Sequence, residues 1–258
     1  MTQDERNALK RWEEHHKALA ADVPVEDWLS QSDIDRKRKK LEEDPIAWIT
    51  YFFPKYAKYE FAPFHVRAIR RIIEHDEWCE VLSWSRELAK STVAMFICMY
   101  LALTKRKKFF VLASATIDSA KRLLAPYKIN FESNPRIRQF YGSQMTLGQW
   151  TDGEFTAKCG AKFFALGAGS APRGARNDDI RPDVIYMDDF DTDEDCRNPE
   201  TLKKKWDWFE ASLYPTRSIS EPTLILWCGN IIAKDCCIRR AGEKARHWDI
   251  VNIRDKNG

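Results

Sequence analysis

Long apolar runs are missing from this sequence of 258 residues. The longest, around Val93 to Leu103, falls well short of the roughly 20 residues needed to cross a bilayer. A mean hydropathy of −0.54 and 31% charged residues exclude a membrane protein on the same ground, so no membrane partner is expected. The stretch from Met1 to Ala20 lacks the apolar centre of a signal peptide, and secretion is not expected. The cysteines, Cys79, Cys98, Cys159, Cys196, Cys228, Cys236 and Cys237, are odd in number and form no C-x-x-C pair. That spacing speaks against a disulfide framework or a zinc module and suits reduced, buried thiols in a cytosol. Neither sign of charge is in excess, with 42 Lys+Arg against 39 Asp+Glu and a net charge of +3. Glycine is sparse, ten residues against ten tryptophans. What remains is a chain long enough for one large domain or two small ones with a sizeable core.

Residues 1–43 are highly charged and read as a helical appendage, with Leu9, Trp12, His16, Leu19 and Ala20 at roughly helical spacing and a second stretch from Val25 to Leu41. The run Arg36 to Lys40 is either a contact for nucleic acid or a partner, or a solvated helix face. From Pro45 aromatics thicken, mostly as packing, and an amphipathic helix follows over about Pro63 to His75. From residue 80 onwards short apolar runs alternate with helical ones. Expected strands are Val81–Trp84, Phe109–Ala115, Ala161–Leu166, Asp183–Met187 and Thr223–Cys228, with a sixth at Asp249–Ile253. Expected helices are Ser91–Leu103, Ile117–Phe131 and Pro199–Leu213, the last capped by Asn198. Strands alternating with helices imply an α/β domain over 44–258, a mainly parallel sheet flanked by helices. In such sheets ligands sit at the carboxyl ends of the strands, so the residues that follow each strand carry the chemistry.

After the first strand comes Ser85-Arg86-Glu87-Leu88-Ala89-Lys90-Ser91-Thr92. A phosphate-binding loop needs backbone N–H groups at a helix N-terminus, a Lys for the β/γ-phosphates and a neighbouring hydroxyl for Mg²⁺. Lys90, Ser91 and Thr92 meet the last two demands, although Trp84 and Ala89 stand where the strict pattern has glycine. The fourth strand ends in Asp188-Asp189, an apolar strand closed by two carboxylates. In that arrangement the first orients hydrated Mg²⁺ and the second polarises the attacking water. Asp189, Asp191, Asp193 and Glu200 also match positions of a calcium loop, but Glu194 replaces its obligatory glycine and a strand precedes it where a helix belongs. The fifth strand ends in Cys228-Gly229-Asn230, and an amide there suits a γ-phosphate sensor. Between the third and fourth strands a glycine-rich loop carries Arg173, Arg176 and Arg181, able to face phosphates or DNA. Taken together, in this order, these features read as a P-loop nucleoside triphosphatase of the ASCE type.

The loop from Ser85 to Thr92 resembles the variant Walker A of the large terminase subunit of tailed bacteriophages, the ATP-driven motor that packages DNA. Arg173-Gly174-Ala175-Arg176, leading into Arg181-Pro182-Asp183-Val184-Ile185-Tyr186-Met187-Asp188-Asp189, is similar to that family's most specific stretch, and Cys228-Gly229-Asn230 resembles its coupling motif. The resemblance implies an ATPase that uses ATP and Mg²⁺ to translocate double-stranded DNA into a procapsid. Lys90 would bind the β/γ-phosphates, Ser91 and Asp188 the metal, and Asp189 would stand where the family often has a catalytic Glu, with Glu194 or Asp191 as substitutes. Arg86 would be a cis-acting or coupling arginine and Arg176, or Arg173, the finger that enters a neighbouring subunit. His65 stands near the family's adenine-reading Gln, either replacing it or simply packing.

By the same resemblance the partners would be DNA, other copies in a ring on the portal protein, and the small terminase subunit, in the cytoplasm of the host cell. A C-terminal nuclease domain would be absent, and no nuclease activity is expected. Two other classes share parts of the pattern. A helicase-like or recombination ATPase would have the loop and carboxylates, and a non-catalytic nucleic-acid scaffold would use only the basic segments.

Overall fold

The computed structural model describes residues 24–57, 59–146, 148–172 and 180–252. The expected helix before residue 24 and the arginines Arg173 and Arg176 lie outside the described residues. Among the described residues the apolar runs become seven strands: β1 (Trp78–Trp84), β2 (Phe109–Ser114), β3 (Glu154–Thr156), β4 (Lys162–Gly167), β5 (Val184–Asp188), β6 (Leu224–Cys228) and β7 (His247–Val251). They form a single sheet in the order β3-β4-β2-β5-β6-β1-β7. Every neighbouring pair is parallel except β3 with β4. Every residue of β2, β5 and β6 is buried, as continuous apolar strands covered on both faces must be.

The helices are α1 (Gln31–Glu42), α2 (Pro45–Phe52), α3 (Pro63–Glu74), α4 (Lys90–Leu103), α5 (Ile117–Ser133), α6 (Pro135–Tyr141), α7 (Asp193–Arg197), α8 (Pro199–Trp208) and α9 (Cys237–Lys244). One face of the sheet packs with α2 to α6 into the larger core, and the other packs with α8 and α9. Helix α4 is buried nearly all round, from Val93 to Leu103, because the sheet covers one side and α2 and α3 the other. The Trp48 ring of α2 meets Tyr100 of α4 edge-on at 5.2 Å. No helix among the described residues is long and apolar enough to cross a membrane.

Several elements differ from the sequence expectation. Residues 24–43 are seated on the domain rather than standing off it: Ile34 joins the larger core, and Arg38 donates to the Phe140 carbonyl at 3.0 Å. Helix α2 was hidden in the aromatic stretch; it starts on Pro45, with Asp44 accepting from the Ile46 amide. Asn134 caps α6 in the same way. Asn198 does cap α8, accepting from the Glu200 and Thr201 amides, but that helix gives way to a π-turn over Phe209–Leu213 rather than continuing as one α-helix. The last strand runs His247–Val251, two residues earlier than expected at its start.

Gly167, the last residue of β4, lets the N-terminus of α5 approach closely, since a Cβ there would lie 2.5 Å from the Ile117 nitrogen. Gly167→Ala is therefore predicted to destabilise the domain by about 1–3 kcal/mol, the usual cost of overpacking, with the midpoint of thermal unfolding lowered by several degrees. A melting curve matching wild type would show that α5 can yield.

Candidate functional site

Parallel pairing sends the carboxyl ends of β1, β5 and β6 to one edge. Cys228 lies in register with both Leu82 of β1 and Asp188 of β5, so the segments that follow these strands surround a common space. That space is a cavity of about 890 Å³. Its lining includes Arg86, Glu87, Ala89, Lys90, Ser91 and Thr92 from one side, Asp188 and Asp189 from the second, and Asn230 from the third. Three segments that are far apart in sequence, and whose chemistry was read separately, meet here.

The loop from Ser85 to Ala89 does its turning without glycine. Glu87 (φ 66°) and Ala89 (φ 57°) both adopt the left-handed region, the second at the position where the strict phosphate-loop pattern has glycine. Left-handed residues in a tight loop can turn backbone N–H groups into a concavity that suits an anion. Ala89 precedes α4 as its N-cap and offers no side-chain cap, which leaves the first amides of the helix available to the same anion. The Lys90 ammonium is buried and reaches back over the loop, donating to the Trp84 carbonyl at 2.9 Å, the Ser85 carbonyl at 3.3 Å and Asn230 Oδ1 at 3.2 Å. Lys90 and Asn230 are thus in direct contact across 140 residues.

Other parts of the loop serve as anchors. The Ser85 amide donates to the Val251 carbonyl at 2.8 Å, tying the loop to β7, and Leu88 packs against the larger core. Neither lines the cavity. His65 Nε2 meets the Leu88 carbonyl at 3.0 Å, and its ring packs against Phe64 and Trp84. His65 thus braces the loop from behind.

Asp188 is buried at the end of β5. Tyr186 donates to its Oδ2 at 2.6 Å, and its Oδ1 is buried with no hydrogen-bond partner. Burial pushes the carboxyl up to about 6, with the Asp189 charge adding to the rise and the Ser91 and Tyr186 hydroxyls and Lys90 opposing it. An orphaned carboxylate oxygen beside a serine hydroxyl is an oxygen-only donor set, which fits a hard cation such as Mg²⁺. Asp189 is exposed with φ 42°, and its amide donates to the Cys228 carbonyl at 3.2 Å.

Two carboxylates of the acidic turn, Asp191 and Asp195, make contacts within the fold. Asp191 also lines the cavity, and its two oxygens accept from the Cys237 and Ile238 amides at 2.8 and 2.9 Å at the start of α9, which anchors the carboxylate to the fold. Asp195 pairs with Lys205 at 2.6 Å. Glu194 is exposed in the first turn of α7 and does not line the cavity. The calcium-loop alternative fails on the same facts, since β5 precedes the turn and α7 occupies its middle. The basic run of α1 is largely paired as well: Arg36 with Asp33, Lys37 with Glu26, and Arg38 with Asp35.

A loop between the first strand and a buried helix, an acidic strand end, and β6 inserted between them define the architecture. The fold is a mainly parallel sheet with helices on both faces. No protein-family model matches the chain, and neither does any curated protein. Among solved structures the chain is similar to a DEAD box protein from the hyperthermophile Methanococcus jannaschii, at 10% identity over 82% of this chain with a TM-score of 0.48. It spans 54% of that protein's length. It is also similar to the large terminase ATPase domain of a Thermus phage, at 13% identity over 79% of this chain and 84% of that one with a TM-score of 0.45. The N-terminal domain of the DNA packaging ATPase from bacteriophage phi29 matches at 13% identity over 63% of this chain and 78% of that one, with a TM-score of 0.39. At identities this low the likeness concerns the fold alone.

Sequence reasoning did not single out Tyr186, because an aromatic inside an apolar strand reads as core. Ser119 and Arg122 of α5 also line the cavity; they follow β2, whose end carries no recognisable motif. The left-handed Ala89 yields a prediction. Ala89→Gly should relieve about 1 kcal/mol of backbone strain and raise the unfolding midpoint by a few degrees while leaving the loop in place. Lower stability in the glycine variant would contradict the strain.

Proposed function

We propose that this chain is the Mg²⁺-dependent ATPase motor domain of a DNA-packaging machine of the phage large-terminase kind. The observation that carries the reading is the convergence of Lys90, Ser91, Asp188 and Asn230 on one cavity at the carboxyl edge of the sheet. The residues divide the work by position. The amides of the loop and of the α4 N-terminus bind the phosphates of ATP, and Lys90, turning from the loop carbonyls, meets the β/γ-phosphates. Ser91 and Asp188 would hold Mg²⁺, which when bound would neutralise charge developing on the phosphoryl oxygens. Asp189, exposed at the mouth beside them, orients the attacking water and takes its proton.

Asn230 gives the coupling a physical form. Its side-chain oxygen is bonded to Lys90 here, and its amide nitrogen is the group to donate to a γ-phosphate. Loss of that phosphate on hydrolysis changes what Asn230 and the segment after it can hold. Arg86, exposed at the cavity mouth, is a cis-acting arginine in this reading. Arg176 or Arg173 is the finger supplied to a neighbouring copy. A ring of copies on a portal, a small terminase partner and a host-cytoplasmic setting complete the proposal, which rests on the motif resemblance.

Turnover tests the core of it. Lys90→Ala is predicted to lower the ATPase rate at least about 100-fold, the scale for removing a preorganised electrostatic contact, and an unchanged rate would sink the reading. Stimulation of wild-type turnover by duplex rather than single-stranded DNA is the expected sign of a packaging motor, whereas single-strand stimulation points to a helicase-like enzyme.

A pH dependence follows from Asp188. Its carboxyl is raised in the folded state, so the neutral form is favoured there and the metal-free protein loses stability as pH rises from the ordinary carboxylate range to about 6. Mg²⁺ requires the carboxylate. The thermal stabilisation given by Mg²⁺ with nucleotide is therefore predicted to be full above pH 7 and to fade as pH falls through about 6. A stabilisation independent of pH between 5 and 8 would remove Asp188 from the metal site.

A further inference from the structure

A buried carboxylate at a strand end has two oxygens and a rotatable bond between them and the backbone. Presenting one chosen oxygen to a cation requires something to hold the other. On β5 the side chains of Tyr186 and Asp188, two residues apart, project from the same face. Tyr186 is fully buried, and its hydroxyl donates to Asp188 Oδ2 at 2.6 Å, while Oδ1 is buried without a partner. The strand itself is rigid, paired with β2 on one side and β6 on the other. One oxygen of the carboxylate is thus bonded inside the protein, to a fully buried side chain on a strand paired on both sides.

We propose that Tyr186 is a positioning residue that selects Oδ1 of Asp188 as the Mg²⁺-facing oxygen, holding the carboxylate by Oδ2. The inference rests on the reading of Asp188 as part of the metal site. It explains why a tyrosine occupies the centre of an otherwise apolar strand, where phenylalanine would pack as well and carry no polar atom to satisfy. Partners that orient metal-binding groups in this way typically contribute about 10–100-fold in metal affinity. The hydroxyl also meets the Cys228 thiol, and its effect on the metal runs through Asp188.

The test uses the full chain with Mn²⁺ as a spectroscopic stand-in for Mg²⁺, titrated in the presence of a non-hydrolysable ATP analogue and followed by electron paramagnetic resonance. Tyr186→Phe is expected to weaken Mn²⁺ binding about 10–100-fold while metal-free nucleotide affinity stays within about twofold of wild type. Asp188→Asn is expected to abolish the Mn²⁺ site. Wild-type Mn²⁺ affinity in Tyr186→Phe, alongside a lost site in Asp188→Asn, overturns the inference and leaves the ATPase reading standing. Absence of nucleotide-dependent Mn²⁺ binding in wild type overturns both. If Tyr186→Phe does not fold, the double variant with Asp188→Asn decides, since it has no buried carboxylate left unpaired. Folding of that double variant, with a melting point near that of Asp188→Asn alone, supports action through Asp188, and failure to fold shows Tyr186 to be structural only.

Discussion

The double pairing of β6 is the constraint on which the rest of the site depends. Leu224 through Cys228 pair with Trp78 to Leu82 on one side and with Val184 to Asp188 on the other. Two chain segments about a hundred residues apart are thereby clamped on either side of one strand, at two strand spacings or about 10 Å. Because all three run parallel, each leaves the sheet at the same edge, and whatever polar residues come next must share the space beyond it. Covering helices on both faces make this possible, since a parallel sheet of such apolar strands survives only when neither face meets water.

The two ends of the sheet treat charge differently. At the amino edge the buried charges among the described residues have partners. Lys107 donates to the carbonyls of Asp76 and Pro222, and Asp183 accepts from the Lys108 and Phe109 amides. Nearby, Arg71 lies between Glu80 and Asp249, so this trio of Glu80, His247 and Asp249, which has the spacing of a metal site, already contains its cation. At the carboxyl edge the accounts are left open: Asp188 keeps one oxygen unpartnered, and Lys90 is bonded only to oxygens that a phosphate can replace. Buried polar groups without fixed partners cost stability, and a fold that concentrates them at one edge marks that edge as the working one.

Much of this was legible from the residues. Apolar runs announced β1, β2, β4, β5 and β6 because buried parallel strands have no polar alternation to obscure them. Lys90-Ser91 and Asp188-Asp189 stood out because charge rarely interrupts such a pattern. The three-residue strand β3 was invisible, being too short for any period, and α2 and α6 were hidden because few turns of aromatic-rich helix show no clear face. The role of Asp191 could not be read either. Six acidic residues between 188 and 195 look alike in sequence, and the amides that claim Asp191 belong to residues 237 and 238. Which carboxylate is committed and which is left for chemistry is a long-range fact.

In the proposed reading, the glycine-poor loop affects how phosphate binding is driven. Glycine samples many backbone wells when no ligand is present, and an anion that orders it must offset that lost freedom. Alanine and glutamate in the left-handed region have far fewer alternatives, and here the loop is further tied to β7 through Ser85 and braced by His65. The strain of holding Ala89 and Glu87 in place is borne by the folded protein before any ligand arrives. What the chain gives up in stability it recovers as preorganisation: the cradle is already shaped, and less of the binding energy goes into ordering it.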